Sequence, residues 1–214
     1  MAGEAGSLTS APSVWGCALY VGDAKGRLFA FNSSNGDLLG FFAPQESAKV
    51  HATPAISPSL SRVIHAAGLH VYGLTPGLTL VWTVTMGAGP AGEVWNSPVI
   101  DDDANAVWIA SDKLYRIRAT DGAVVDSLVL RTCPSCPSVG AVWGSPTLAG
   151  KNSVVLGTSG LTTNAIFSVD RTDMTINWSV TTEGSVAAAV AYDDVNGLLV
   201  WGRTTPMLPA TFTV

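Results

Sequence analysis

Cys133-Pro134-Ser135-Cys136 has the most familiar reactive spacing in this 214-residue chain. A C-x-x-C pair can act as a redox dithiol, contribute half of a zinc site, or anchor a c-type haem. Haem attachment needs His directly after the second cysteine, and Pro137 stands there. Zinc needs two further ligands, and Cys17, the remaining cysteine, lies far upstream. What is left is a disulfide between Cys133 and Cys136, either redox-active or a local loop cross-link. The odd number of cysteines leaves at least one thiol unpaired.

Histidines and acidic runs offer less. His51, His65 and His70 fall close together in sequence. His65 and His70 are expected on successive strands across a turn at Gly68, where they could face each other, but no carboxylate lies nearby, and no metal is assigned. Asp101-Asp102-Asp103 and Asp193-Asp194 lack the alternating Asp-x-Asp-x-Asp-Gly spacing that wraps oxygens around calcium, so they read as solvated turns. Asn32-Ser33-Ser34 and Asn177-Trp178-Ser179 fit the glycosylation sequon, which matters only in a secreted protein.

The elements that must position these groups are strands. The chain has 4 Glu, 4 Lys and 1 Gln, so the exposed faces of long helices would lack their usual residues, whereas β-branched and aromatic residues are plentiful. With 47% hydrophobic residues and 22 Gly and 12 Pro dispersed along the sequence, a β core with frequent turns is expected. The net charge of −5 and singly scattered basic residues argue against nucleic-acid binding. No apolar run approaches the roughly 18 residues of a membrane span, and Met1-Ala2-Gly3-Glu4-Ala5 does not open like a signal peptide. The compartment stays open.

Internal repetition decides the architecture. Ser10-Ala11-Pro12-Ser13-Val14 is echoed by Thr53-Pro54-Ala55-Ile56, Ser97-Pro98-Val99-Ile100, Ser145-Pro146-Thr147-Leu148 and, more faintly, Ala188-Ala189-Val190-Ala191. An aromatic recurs in step at Phe29, Tyr72, Tyr115 and Phe167. Turns follow, with Asn35-Gly36 and Asp121-Gly122 expected to take positive φ at both central positions. Five residues past Gly36, Gly77, Gly122 and Asp173 stand Phe41, Trp82, Ser127 and Trp178, which reads as one aromatic column. Each unit of roughly 43 residues holds four short strands; in the third these are expected over 97–101, 106–111, 114–119 and 123–130. A four-stranded sheet buries neither face alone, so blades must stack, with Trp82, Trp178, Phe29, Tyr72, Tyr115 and Phe167 in the seams.

The expected fold is all-β: one β-propeller domain over residues 1–214, of four-stranded antiparallel blades. Its repeats run at about 7–48, 49–92, 93–140, 141–183 and 184–214. The strand count gives about four and a half to five blades, an incomplete or open propeller. After Trp201-Gly202 the tail supplies at most one strand, over 210–214, so uncovered apolar faces are expected on the first and last blades.

The positions three residues before each inner-strand Pro, or its equivalent, are Thr9, His51, Trp95, Trp143 and Val186. In a propeller they would ring one end of the central channel, where unlike residues suit a binding site, although Trp95 and Trp143 could equally plug the channel. His51, Trp95, Asn96 and Trp143 are the candidate ligand-binding residues; no catalytic residue and no metal ligand is assigned.

Tyr20-Val21-Gly22-Asp23 through Gly36, and Ala141-Val142-Trp143-Gly144-Ser145-Pro146 through Leu156-Gly157-Thr158, resemble the pyrroloquinoline-quinone-like (quinoprotein alcohol dehydrogenase-like) β-propeller repeat. The resemblance extends from about Ser7 to Trp201. It implies a family that includes quinoprotein dehydrogenases, outer-membrane assembly lipoproteins and propellers attached to acyl-activating enzymes, with many members that bind no quinone. A dehydrogenase of that kind needs an Asp base, a calcium set and basic groups for the quinone carboxylates. Glu93, Asn96 and Asp101, all from one repeat, do not make one. The expected function is therefore a non-catalytic binding or scaffold module, taking a protein, peptide or small ligand on its channel face or docking to further blades of a longer chain. The alternatives are a fragment of a dehydrogenase using pyrroloquinoline quinone (PQQ) and calcium, or an accessory propeller of an acyl-activating enzyme.

Overall fold

In the computed structural model, residues 7–45, 48–88, 92–132, 139, 142–159 and 163–203 are described. Cys133 and Cys136 lie outside them, as does 210–214. The described residues form no helix, so no helix is long and apolar enough to cross a membrane.

Four antiparallel meanders follow one another. The first is β1 (Ser13–Trp15), β2 (Ala18–Gly22), β3 (Leu28–Asn32) and β4 (Leu38–Phe42). The second is β5 (Ala55–Ser57), β6 (Arg62–Ala67), β7 (His70–Leu74) and β8 (Leu80–Thr85). The third is β9 (Val99–Asp101), β10 (Ala106–Ala110), β11 (Leu114–Arg118) and β12 (Val124–Leu128). The fourth is β13 (Thr147–Ala149), β14 (Ser153–Gly157), β15 (Asn164–Asp170) and β16 (Ile176–Thr182). A fifth sheet holds β17 (Ala191–Asp193) and β18 (Leu198–Val200). The innermost strands β1, β5, β9, β13 and β17 are neighbours in that order. This is an open propeller: among the described residues no strand of the first sheet pairs with one of the fifth.

Packing follows strand alternation, in which successive side chains point to opposite faces. One face of the second blade, with Ile64, Val71, Trp82 and Val84, meets Val107, Ile109, Tyr115 and Ile117 of the third. The opposite face of the third, with Trp108 and Leu114, meets Val154, Leu156 and Phe167 of the fourth. Tyr20, Leu28 and Ala30 of the first meet Val63, Tyr72 and Leu74 of the second. Each seam is a buried apolar layer, the stacking that a single sheet cannot supply for itself.

The Ser/Thr-Pro signature has a mechanical reason. Ser97 Oγ accepts the Thr53 N–H at 2.8 Å, and Ser145 Oγ accepts the Ser97 N–H at 2.8 Å, so each hydroxyl staples one inner segment to the next. Ser13 donates to Pro54 O at 2.6 Å, and Thr147 donates to Val190 O at 2.6 Å. Proline suits these places because it has no N–H that must be satisfied between inner strands. The faint fifth repeat is shifted by one residue from its expected alignment. β17 begins at Ala191, directly after the buried Val190, so Val190 rather than Ala189 corresponds to Pro146.

The hairpins between third and fourth strands also differ from expectation. At Asn35-Gly36 and Asp121-Gly122 only the glycines take positive φ, 77° and 76°. Each bonds its N–H to the carbonyl four residues back, at 2.8 and 2.9 Å, and the register shifts by one residue beside each turn, at Ala30/Phe31 and Arg116/Ile117. These are bulged loops rather than two-residue turns. In the second and fourth blades the positive-φ residues are Leu78 and Met174, not Gly77 and Asp173. Counting from the wrong residue merged two faces into one apparent aromatic column. Phe41 lies opposite Phe29, whereas Trp82 lies opposite Gly73 and Trp178 opposite Ser168. Trp82 and Trp178 are therefore register equivalents of Gly40, and Phe41 points to the other face.

Of the six aromatics expected in the seams, Tyr72, Tyr115, Phe167 and Trp82 are buried in them, whereas Phe29 is buried on the first blade's outward face against Phe41 and Arg27, which corrects its assignment. Trp178 is 40% exposed, which corrects its assignment. Phe29, Phe31 and Phe41 stack with centroids 6.1 and 5.8 Å apart on the first blade's outward face, and Leu198 and Val200 stand exposed on the fifth. Among the described residues, apolar surface is thus uncovered at both ends of the arc.

Candidate functional site

The segment entering each blade repeats a burial rhythm. Val50, Val94, Val142 and Val186 are buried, and the residue after each faces outward or is half-buried. The valines are held by close approach to the preceding blade. A Cβ added to Gly22 would fall 2.6 Å from Val50 Cγ1, and one added to Gly157 would fall 2.3 Å from Val186 Cγ1. With the valine fixed inward in an extended segment, the next side chain must point away from the seam. Those next residues are His51, Trp95, Trp143 and Ala187. The fifth ring position is therefore Ala187, and the expected Val186 belongs to the core instead.

Three of the positions carry rings, and the structure brings them together. The His51 imidazole lies 3.8 Å from Trp95 between centroids, at 9° between planes, and Trp95 lies 5.3 Å from Trp143, again at 9°. Consecutive blades thus contribute successive rungs of one stacked ladder. Trp95 and Trp143 are each 37% exposed, so neither is a sealed plug. Beside the first rung, Glu93 Oε2 stands 3.7 Å from His51 Nε2, a charge pair whenever the imidazole is protonated. Both atoms are enclosed and neither has a hydrogen-bond partner. Thr9, the first expected ring member, donates its hydroxyl to Val50 O at 2.7 Å and ties the first blade to the second.

Asn96 does not join the ladder. It is 1% exposed, its Nδ2 donates to Ala110 O at 2.8 Å and Val142 O at 3.0 Å, and its Oδ1 accepts the Ala110 N–H at 3.2 Å. This amide fixes the third blade to the segment entering the fourth, and a ligand on the ladder could not reach it. A buried amide with its hydrogen bonds met inside the fold is a structural group.

The remaining polar candidates are also structural. His65 lies opposite Tyr72, and His70 lies opposite Ala67, so the two histidines do not face each other. His65 is fully buried with Nε2 2.8 Å from Gly26 O, and desolvation lowers its pKa to about 4. His70 Nδ1 is 3.1 Å from Thr85 Oγ1. Asp101 is buried in a 2.8 Å ion pair with Arg171 of the fourth blade, and Asp102 accepts the Ser57 hydroxyl of the second. These two carboxylates bridge blades, which the expectation of a solvated turn missed. Asp193 caps its own turn, accepting from the Val195 N–H at 3.0 Å and the Asn196 amide at 2.6 Å, bonds that hold its carboxyl below the usual range. Among the described residues no group of three or more His, Cys, Asp or Glu side chains is placed to hold a metal ion.

No family model matches the sequence, and no curated protein matches it. Solved structures do. BamB from Moraxella catarrhalis superposes with a TM-score of 0.67 at 17% identity, over 92% of this chain and 64% of that one. The computationally designed protein Ika8 gives 0.69 at 16% identity, over 90% and 54%. The WD40 β-propeller domain of Doa1 gives 0.64 at 13%, over 90% and 59%. This chain therefore spans somewhat over half the length of these proteins. At such identities the likeness carries the propeller fold alone.

Proposed function

We propose that this chain is a non-catalytic β-propeller binding module of the PQQ-like repeat type, and that it binds an extended peptide or protein segment on the end bearing His51, Trp95 and Trp143. The ladder carries the reading. Three rings from three blades are held parallel, Trp95 and Trp143 exposed and His51 half-buried, at positions where the repeat imposes no ring, since Ala187 fills the same place in the fifth. Partly exposed tryptophans in a rigid frame are the side chains that most often dominate protein interfaces. Their order is fixed by buried valines and inter-blade hydroxyl staples, so little conformational freedom is lost on binding. Glu93 beside His51 adds a carboxylate that favours a basic residue in the ligand.

Beside the ladder Glu93 is a single carboxylate paired with His51, and Asn96 is committed inside the fold, which supports a reading without a calcium-bound quinone at this site.

Selection from a random peptide library on the immobilised protein tests the proposal. Selected peptides should bind the wild type saturably and lose at least tenfold in affinity with Trp143→Ala and with His51→Ala, while both variants stay folded, with melting temperatures lowered by no more than about 4 °C. Peptides that bind these variants as well as the wild type would overturn it.

A further inference from the structure

The seam between the second and third blades is filled at its outer end by an indole that the preceding seam lacks. Ile64, Gly73 and Trp82 form one row across β6, β7 and β8, and the indole lies over Gly73, where an added Cβ would fall 2.0 Å from Trp82 Cε2. Its N–H donates to Ala119 O at 2.9 Å. The ring rests on the turn that follows, since a Cβ on Gly122 would fall 2.7 Å from Trp82 Cδ2. One indole thus closes the space between the outer strand of one blade and a turn of the next.

In the first blade the matching row is Tyr20, Ala30 and Gly40. Gly40 stands where Trp82 stands, and a Cβ added to it would meet nothing within 4 Å. Across the seam the receiving turn is in place, with Pro76 and the positive-φ Leu78 in the positions of Ala119 and Gly122. Tyr20 donates its hydroxyl to Pro76 O at 2.9 Å, so the carbonyl has a donor, but one that comes from β2 and leaves the outer end of the row open. The result is a cavity of about 410 Å³ walled by Trp15, Ala18, Tyr20, Ala30, Gly40 and Leu78, with Cys17 on its rim. Small-molecule sites typically enclose roughly 300–1,000 Å³ within mainly apolar walls.

We propose that this cavity binds a small planar bicyclic aromatic molecule carrying an N–H donor, the class of which indole is the simplest member. The ligand ring takes the place against Leu78 that the Trp82 ring takes against Gly122, displaced outward by the Ala30 methyl that Gly73 lacks. Its N–H has an acceptor, because Pro76 O keeps a second lone pair and the Tyr20 oxygen can accept while it donates. The described residues that border the undescribed stretches of these blades do not lead into the cavity. Ser7 and Ala48 sit beside Ala24 and Gly26 in the β2–β3 turn, whereas the cavity opens at the other end of those strands, beside Cys17. Arg203 pairs with Glu183, beyond β16.

The probe is 5-fluoroindole, followed by fluorine NMR with the full chain. Its signal should shift saturably below about 1 mM, and unlabelled indole should displace it. Benzofuran, which keeps the shape without the N–H, should displace it about three- to tenfold less well. Gly40→Trp, which places the chain's own indole in the cavity, should abolish the shift, and Trp143→Ala should leave it unchanged. A second readout needs no variant. Cys17 is exposed, and its alkylation by iodoacetamide, followed by mass mapping of the Cys17 peptide, should slow several-fold at saturating indole. The proposal is overturned by absent saturation, by folded Gly40→Trp binding as well as the wild type, by benzofuran displacing as well as indole, or by an alkylation rate that indole does not change. It is also overturned if Cys17 is inert in the free protein, since the chain itself would then cover the cavity.

Discussion

Trp82 and Trp178 occupy the same register position on the fourth strands of the second and fourth blades, yet one is 7% exposed and the other 40%. The strands beneath them match, with a small residue opposite each indole, Gly73 in one case and Ser168 in the other. The difference lies in the next blade. Trp82 has a complete neighbour whose turn supplies a carbonyl and a glycine, and among the described residues Trp178 has a two-stranded sheet that stops short of it. A residue that is core in one repeat is surface in another because burial in a stacked repeat belongs to the interface and not to the blade.

The largest effect expected from this comparison is on stability. Trp82→Ala should cost about 3–5 kcal/mol, since it empties a closed seam and leaves the Ala119 carbonyl without its donor. Trp178→Ala should stay within about 0.5 kcal/mol, as surface substitutions do. Urea unfolding of the two variants checks the split, and similar losses for both would mean that Trp178 is covered in solution. The paired turns sharpen the point. Gly36 and Gly122 have the same φ, so Ala at either costs about 1 kcal/mol of backbone strain. Only at Gly122 does the new Cβ also strike an indole, which should add about 1–3 kcal/mol of overpacking. Denaturation midpoints of Gly36→Ala and Gly122→Ala measure that difference directly.

Strand number, blade count and the open end were legible because they depend on local patterns. The four strands of the third blade fall within two residues of their expected bounds. That Phe41 points to the other face from Trp82 and Trp178 was not legible, because the positive-φ residues of the second and fourth turns are Leu78 and Met174, types that give no turn signal. Spacing aligned Thr9, His51, Trp95 and Trp143 but missed the fifth position, Ala187, and it did not show the ladder. That three rings would stack depends on how closely the inner segments of neighbouring blades run, which no single repeat encodes. Asn96 was misread for a related reason: in sequence an amide beside an exposed Trp looks like a ligand contact, and only the register shows it facing Ala110 and Val142. The inter-blade roles of Asp101 and Asp102 depend in the same way on partners, Arg171 and Ser57, that lie in different repeats.

A closed seam also makes stability depend on pH in a way that an open surface does not. His65 lies in the seam between the first and second blades, edge-on to Phe42 and stacked near Tyr72, with Gly26 O on Nε2 and the Asp23 charge nearby. Its Nδ1 is buried with no partner, and desolvation holds its pKa at about 4 against 6.5 when exposed. The unfolded chain therefore binds the proton more readily than the folded one. Stability falls as pH drops below about 6.5 and stops falling through this group below about 4. By pH 5 the loss should be about 2 kcal/mol at about 1.4 kcal/mol per unit. Urea titrations at pH 7 and pH 5 should show that much more loss for the wild type than for His65→Gln, which cannot take up the proton. An equal loss in both would place the pH dependence elsewhere.

The smallest effect concerns the ladder, where the comparison is between rungs. Trp95 is stacked on both sides, by His51 and by Trp143, whereas each of the outer rungs has one ring neighbour. Ring pairs contribute about 0.5–1.5 kcal/mol beyond area burial, so Trp95→Ala forfeits two such contacts and either outer variant forfeits one. Because all three side chains are partly exposed, no sealed cavity opens and the larger cost seen for Trp82 does not apply. Trp95→Ala should therefore lose about 1–3 kcal/mol, and His51→Ala and Trp143→Ala about half of that or less. Equilibrium unfolding of the three single variants and of the His51→Ala/Trp143→Ala pair checks the order. The pair should depart from additivity, because both outer rings rest on Trp95 as a shared partner. If His51→Ala or Trp143→Ala instead cost as much as Trp82→Ala, the rings would be core that seals the channel, and the ladder would lose its claim to be a surface that waits for a ligand.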